Sequence, residues 1–534
     1  MFAQMAFIAC ALLVGAPTLP WQLTFERDKA AFEVSASTYP WEVHDEGTER
    51  LLDNMQQMAG VNSIYLIALM HHEPRPFRGE RFPHNPVRQK WFAEDSRISW
   101  HPDLPLYGRI KPMLSDHEWL RSSDWLAVVV DAARKRKIKV GVEISHTVFS
   151  DQQLKLDEYA DVIQRDLHGR PATKWGAGYV PCLNHPDVVA YLLAIYTDLA
   201  TNYDLDYIQT CMLNFVFGDA AEGGCFCDAC VAAAGQMDVD LNAIRNALRE
   251  NPQAQPYKDQ WQAFRRKSVT SLYKKITDAI RKANPKIEFR LNHWTRSAEA
   301  GGMYIEDIAP MLGSIRLMSY EEQDGDPKAL ASKRDWITEV RRKVGDKLPV
   351  LAAIGVRSKA YPELIRQGVK VAVDSGVQGI TLGHYDGAAH SILRAVRNGL
   401  AQAGVPGIRP IMGVEAEQMA SQNYYGNPWL YEMCVNTDGV GVLSHRFAEA
   451  DGRYDIKISY ADEKAGRGLV TLFVNDQKVD SWRLDQDVDC WTTRTIPDVA
   501  LKSGDRIGIE GRADGNDWAR IDFVEFIPRT APAQ

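Results

Sequence analysis

Three cysteines within six residues, Cys225, Cys227 and Cys230, form the densest group of metal-ligating side chains in the sequence. Three thiolates so close together do not readily pair among themselves, yet they can share one soft cation once a fourth ligand arrives. Zinc takes four ligands in a tetrahedron, and a site built from four cysteines is closed and structural. Cys182, between Pro181 and Pro186, is the expected fourth ligand, with Cys211 as the rival. Reduced thiols without a metal, or disulfides, are the alternatives. A second group of residues suggests acid/base chemistry. Glu322, Asp386, Glu143 and Asp219 all fall where apolar runs give way to polar residues. A pair of carboxyls hydrolyses a glycosidic bond when they stand about 5–5.5 Å apart for retention or 6.5–9.5 Å for inversion.

Strand parity narrows the choice of carboxylates. Ile315 and Leu317 are expected to face helices, which turns Tyr320 and Glu322 inward, and Glu143 is opposite in parity to its aliphatic neighbours. Glu322 and Asp386 are therefore the first candidates, followed by Glu143 and Asp219. Each also has an ordinary structural reading. Glu143 would pair with Arg290 or Arg316, Glu322 would open a solvated loop, Asp386 would cap a turn, and Asp219 would be a loop acid. His71, His146, His293 and His384, with Asn292, Trp294 and Tyr320, are candidates for binding sugar hydroxyls or stacking on sugar rings. The histidines are also candidates for a second metal.

The elements that position these residues alternate regularly. Strand candidates at 32–38, 63–71, 138–146, 207–215, 287–294, 315–322, 350–356 and 379–386 are separated by amphipathic helical stretches. Eight strands, each followed by a helix, predict a (β/α)8 TIM barrel. A doubly wound sheet is the competitor, but no Gly-rich phosphate loop follows the first strand. The polar strand ends would then converge on one face, where barrel enzymes build their sites. After residue 407 the pattern changes to period-two alternation, expected to form an all-β jelly-roll sandwich over 408–534, with Asn475 and Asp476 as a hairpin turn.

With 534 residues and a net charge of −8, the chain is no candidate for coating nucleic acid or binding an anionic membrane. The eleven-residue apolar run from Ala6 to Ala16 is too short to span a bilayer and suits a signal peptide over residues 1–20, which predicts a secreted or periplasmic protein. Export would permit a bridge between Cys434 and Cys490. The barrel would then occupy 21–407. No later segment is apolar enough to span a membrane.

The cysteine spacing resembles that of the family 42 β-galactosidases, and of related glycoside-hydrolase-like barrels of unassigned activity. The resemblance covers the barrel and implies a carbohydrate substrate and a zinc site held by Cys182, Cys225, Cys227 and Cys230 beside the cleft. The sequence departs from that family at the acid/base position, where Val216 stands instead of Glu, and Cys211 stands where many retaining barrel glycosidases carry an inward Asp on strand four. Glu415 and Glu417 at the opening of the sandwich, with Asp522 near its end, are similar to carbohydrate-binding module families 6 and 35. That resemblance implies a structural calcium on those three carboxylates. Arg520 stands where those modules place an Asn that contacts sugar; Trp429, Trp491 and Trp518 remain platform candidates. The expected function is hydrolysis of a poly- or oligosaccharide by carboxylate acid/base chemistry. The alternatives are a degenerate barrel that only binds carbohydrate, or a metal-dependent hydrolase or isomerase using the strand-end histidines.

Overall fold

The computed structural model describes residues 31–69, 97–115, 117–144, 149–150, 156–174, 178–218, 223–357, 359–427, 432–435 and 439–529. The segment expected to be a signal peptide (1–20), His71, His146, Asp219, Trp429 and the side chain of Cys434 lie outside the described residues. Cys490 carries a free thiol.

Eight parallel strands close into a barrel: β1 (Glu33–Thr38), β2 (Ser63–Leu69), β3 (Lys139–Ile144), β4 (Tyr207–Cys211), β5 (Glu288–His293), β6 (Ser314–Leu317), β7 (Val350–Gly355) and β8 (Gly379–Gly383). Each strand pairs with its sequence neighbours, and β8 closes on β1. Helices cover the outside, among them Trp125–Lys135, Pro186–Asn202, Tyr257–Ala283, Ala329–Val344, Pro362–Asp374 and His390–Gln402. Alternate strand residues explain the layering. Val34, Ile64, Val140, Val142, Ile208, Leu291, Ile315, Leu317 and Leu382 point outward and are sealed under the helices.

The inward positions carry a different chemistry. At the base, Arg290 of β5 reaches across to Glu33 of β1 at 2.7 Å and also binds Glu288 at 2.8 Å; Lys139 of β3 joins Glu33 at 3.1 Å. Above them Tyr207 meets Ser63 at 3.0 Å, and Tyr65 meets Thr381 at 3.3 Å. Space for these large side chains comes from inward glycines. A Cβ on Gly141 would overlap the Tyr207 ring, and one on Gly383 would overlap the Tyr320 ring. The barrel axis is thus filled by tyrosine and ion pairs rather than by layers of aliphatics.

Two antiparallel sheets follow. One contains Gly413–Glu415, Tyr424–Asn427, Glu432–Val435, Ile521–Pro528, Gly452–Asp462 and Cys490–Leu501; the other contains Ala420–Gln422, Val440–Arg446, Arg506–Arg512, Leu469–Val474 and Gln477–Arg483. Ile456, Ile458, Leu443, Leu472, Ile509 and Val524 form a core separate from that of the barrel. Leu469–Val474 and Gln477–Arg483 form a hairpin through Asn475 and Asp476, whose φ values of 49° and 67° match a type I′ turn.

Candidate active site

Glu143 lies near the C-terminal end of β3 and is 4 % exposed. Its inward parity brings it against donors from three other strands. Gln209 of β4 donates to its carboxylate at 2.5 Å, Asn292 of β5 at 3.3 Å, and Arg316 of β6 stands at 3.7 Å. Arg316 donates to the hydroxyl of Tyr320 at 2.6 Å. The Tyr320 ring lies 6.0 Å from that of His384, and His384 Nδ1 is 3.2 Å from the hydroxyl of Tyr39, which stacks on Trp41. Burial opposes the charge of Arg316, but Tyr320, Tyr65 and Glu143 outweigh it and raise its pKa. A row of polar groups therefore runs across the mouth from Glu143 to Tyr39. Arg316 is one of the two arginines expected from sequence to pair with Glu143, whereas Gln209 and Tyr39 were not singled out, although Gln209 carries the same inward parity that marked Glu143.

The row continues into buried acids. Glu42, in the helix Pro40–Glu46 that follows β1, accepts from the Tyr39 amide at 2.6 Å and from Thr38 Oγ1 at 2.9 Å. Burial, and then the nearby Asp386, raise Glu42 well above the usual carboxylate range. Asp386 itself is wholly buried, with Arg357 at 4.0 Å. Glu46 is pushed up to about 8 by burial, opposed by hydrogen bonds from Tyr385 at 3.0 Å and Asn54 at 2.7 Å. Carboxyls that keep a proton near neutrality are the chemical type of a general acid. Glu42 and Glu46 escaped the sequence reading; the only signal was an acid in the first turn of a helix directly after a strand.

Glu322 corrects the sequence expectation. A 3-10 turn over Glu321–Asp324 ends the strand parity, so the side chain swings behind β7 rather than into the mouth. There it is fully buried, paired with Lys333 Nζ of the helix Ala329–Val344 at 2.5 Å and accepting the Gly355 amide at 2.9 Å. His293 is likewise outward. Its ring packs 5.7 Å from Trp336, and burial lowers it to about 4. Trp294 is half-buried against Phe217, with ring centres 5.4 Å apart.

Cys182, Cys225, Cys227 and Cys230 come together at the same end of the barrel, all four sulfurs within 4.8 Å of one another. Cys182 Sγ lies 3.4 Å from both Cys230 and Cys227. Four sulfurs each about 2.3 Å from a central zinc would sit roughly 3.8 Å apart, so the spacing fits the ion. Two donors point at the sulfurs: the Arg165 amide to Cys225 at 3.3 Å, and Asn184 Nδ2 to Cys230 at 3.4 Å. Hydrogen bonds from Cys182, Cys225 and Cys230 hold Cys227 far below the usual thiol range. Cys211 lies apart from the cluster, in β4.

At the sandwich opening the positive charge is a guanidinium. Arg394, from the last barrel helix, donates to Asp522 at 2.9 Å through both terminal nitrogens and to Glu415 at 2.9 Å through Nε. His390 adds a ring nitrogen 3.7 Å from Asp522. Arg394 relieves the repulsion between Glu415 and Asp522. Burial works against Asp522's charge, yet Arg394 brings it down to about 2, while Glu417, buried without such a partner, is pushed up to about 8.

No family model matches this chain. Alpha-glucuronidase A of Emericella nidulans is 29% identical over 150 residues, which is 24% of this chain and 17% of that protein. The alpha-glucuronidase of Hypocrea jecorina is 23% identical over 107 residues, 18% of this chain and 13% of that protein. The chain thus spans well under a fifth of the length of these relatives. Among solved structures, the glycoside hydrolase domain of PgaB from Bordetella bronchiseptica superposes with a TM-score of 0.51 at 15% identity, covering 71% of this chain and 99% of that one. This likeness, with the strand order, defines a (β/α)8 barrel fold, which a β-sandwich follows. A family 42 β-galactosidase from G. stearothermophilus gives a TM-score of 0.47 at 13% identity, covering 72% of this chain and 58% of that one.

Proposed function

We propose that the protein is a glycoside hydrolase that acts on a poly- or oligosaccharide. The observation that carries this reading is the row at the barrel mouth. Glu143 is ringed by donors, and the chain of Arg316, Tyr320, His384 and Tyr39 leads from it to the Glu42–Asp386 pair. Glu143 is the fixed acceptor, suited to a nucleophile or to activating water. The Glu42–Asp386 pair, whose Glu42 is raised, holds a proton for the leaving oxygen. Asn292, Tyr320, His384 and Trp294 are proposed to contact the sugar, together with His71 and His146. Similarity to fungal alpha-glucuronidases and the fold of the PgaB domain support the class. Export is proposed from the apolar run at 6–16.

The cysteine cluster is proposed to hold one structural zinc, pinning the segment after β3 to the loop after β4. A second reading, a barrel that binds glycan without cleaving it, is favoured by one observation: Val216, rather than Glu, follows β4. The test is product release from a glycan and aryl-glycoside panel by wild type, Glu143→Gln, Asp386→Asn, Asp219→Asn and Glu322→Gln. Hydrolysis predicts a 10²–10⁴-fold loss in Glu143→Gln and Asp386→Asn and near-wild-type rates in Glu322→Gln if that variant folds. Retention of glycan without release by any form moves the assignment to binding.

A further inference from the structure

A cleft of about 410 Å³ opens at the rim of the barrel's C-terminal face, outside β4 and β5. Gly218 of the loop after β4, Glu299 and Tyr304 after β5, and Lys258, Trp261 and Arg265 of the helix Tyr257–Ala283 line it. Arg265 is the unusual member. It is 3 % exposed, yet among the described residues its hydrogen bonding is confined to Nη1, which donates to the Ala300 carbonyl at 2.7 Å. Nε has no hydrogen-bond partner among the described residues, and no carboxylate among them lies within ion-pair distance of the group. Three other buried arginines face carboxylates: Arg290 binds Glu33, Arg394 binds Glu415 and Asp522, and Arg316 faces Glu143. Even the neighbouring Arg266 is neutralised, by Asp307 at 2.5 Å. Burial without a counter-charge pulls Arg265 down to about 10.

The surroundings hold this charge in place. The guanidinium lies 3.5 Å over the Trp261 ring. A Cβ on Gly302 would press on the Arg265 backbone and Cβ at 2.9–3.0 Å, so the loop after β5 is seated against the residue. The one acid lining the cleft among the described residues, Glu299, is committed to Lys343 at 2.9 Å. Lys258 adds a second cation and binds Gln253 at 2.5 Å. A buried guanidinium whose Nε edge lacks a partner is a half-made bidentate pair, the geometry that matches a carboxylate. The volume is that of a small-molecule site rather than of a bare anion.

We propose that this rim cleft is a binding subsite for an acidic sugar residue, whose carboxylate pairs with Arg265. The subsite is separate from the Glu143 row, and its occupancy is read without turnover. The experiment is calorimetry on the full-length Glu143→Gln variant with trigalacturonate and with its fully methyl-esterified form. The acid form is expected to bind at least tenfold more tightly than the ester. That preference should fall within twofold of unity in Arg265→Gln and be partly kept in Arg265→Lys. Ala300→Glu, which sets a competing carboxylate in the cleft and spares Arg265, should abolish it as well and serves where Arg265→Gln does not fold. Equal affinity for acid and ester, or a preference that survives Arg265→Gln or Ala300→Glu, overturns the proposal. Displacement by inorganic sulfate at the same concentration as the uronate overturns the sugar assignment.

Discussion

Replacing Arg394 with Met tests how the sandwich is held to the barrel. The side chain is 3 % exposed, and its guanidinium contacts Asp522 through both terminal nitrogens and Glu415 through Nε and Nη2. Its removal leaves the buried Asp522 and the partly buried Glu415 without their main cation. Breaking a buried pair by deleting one partner costs about 3–5 kcal/mol. A separate estimate comes from Asp522, held at about 2 against an ordinary 3.8. That depression alone is worth about 2 kcal/mol above the unfolded value. The contribution is complete above pH 3.8 and is lost as pH falls through 2. For a domain of this size a loss near 3 kcal/mol lowers Tm by about 10 °C. The sign of the pH response should also change. Wild type gains stability from pH 2 to 4 through Asp522. In the variant the unpaired carboxylates prefer to be protonated, so stability should fall as pH rises from 4 to 7. Calorimetry at pH 4.5 and 7.5 reads both effects, with Arg394→Lys intermediate. A variant within 2 °C of wild type at both values would refute the reasoning.

Lys333→Met, which strands Glu322 in the core, should destabilise the fold by about 3–5 kcal/mol in urea titration, and Lys333→Met with Glu322→Leu should recover most of it. The purified protein should carry one zinc by elemental analysis, and Cys225→Ser should lose both the metal and several degrees of Tm. Glu46, raised to about 8 from 4.5, favours the folded state less as pH rises through that interval. Glu46→Gln should therefore flatten the fall in stability between pH 4.5 and 8; an unchanged slope in thermal melts would show that Glu46 is ionised in the folded protein.

The barrel was legible because short apolar runs, such as those around Val140 and Val142 or Ile315 and Leu317, alternate with amphipathic helical stretches. The sandwich followed from period-two alternation within its strands and from the Asn475–Asp476 turn. Side-chain destinations were harder to read. Parity placed Glu143 and Tyr320 on the inward side but failed at Glu322, because a 3-10 turn is indistinguishable in sequence from two more strand residues. One overlooked clue was Lys333, three residues after Leu330 and four before Ile337, on the apolar stripe of its helix. A lysine there requires a buried partner, and Glu322 is that partner. Arg394 offered the same clue on the last barrel helix. Glu42 gave only its place in the first turn of a helix, since its burial depends on how the segment after β8 packs against the segment after β1.

The fit of Gly141 around Tyr207, and of Gly383 around Tyr320, bears on how such a barrel changes over generations. Each ring and its glycine share one volume, so neither site drifts alone. Adding a methyl at Gly141 collides with a ring, while trimming Tyr207 opens a hole on the axis and strips Ser63 of its partner. Variation along the axis must therefore arrive as coordinated exchanges between neighbouring strands. Descendants of this sequence should record that history as correlated substitutions at 141 with 207 and at 383 with 320.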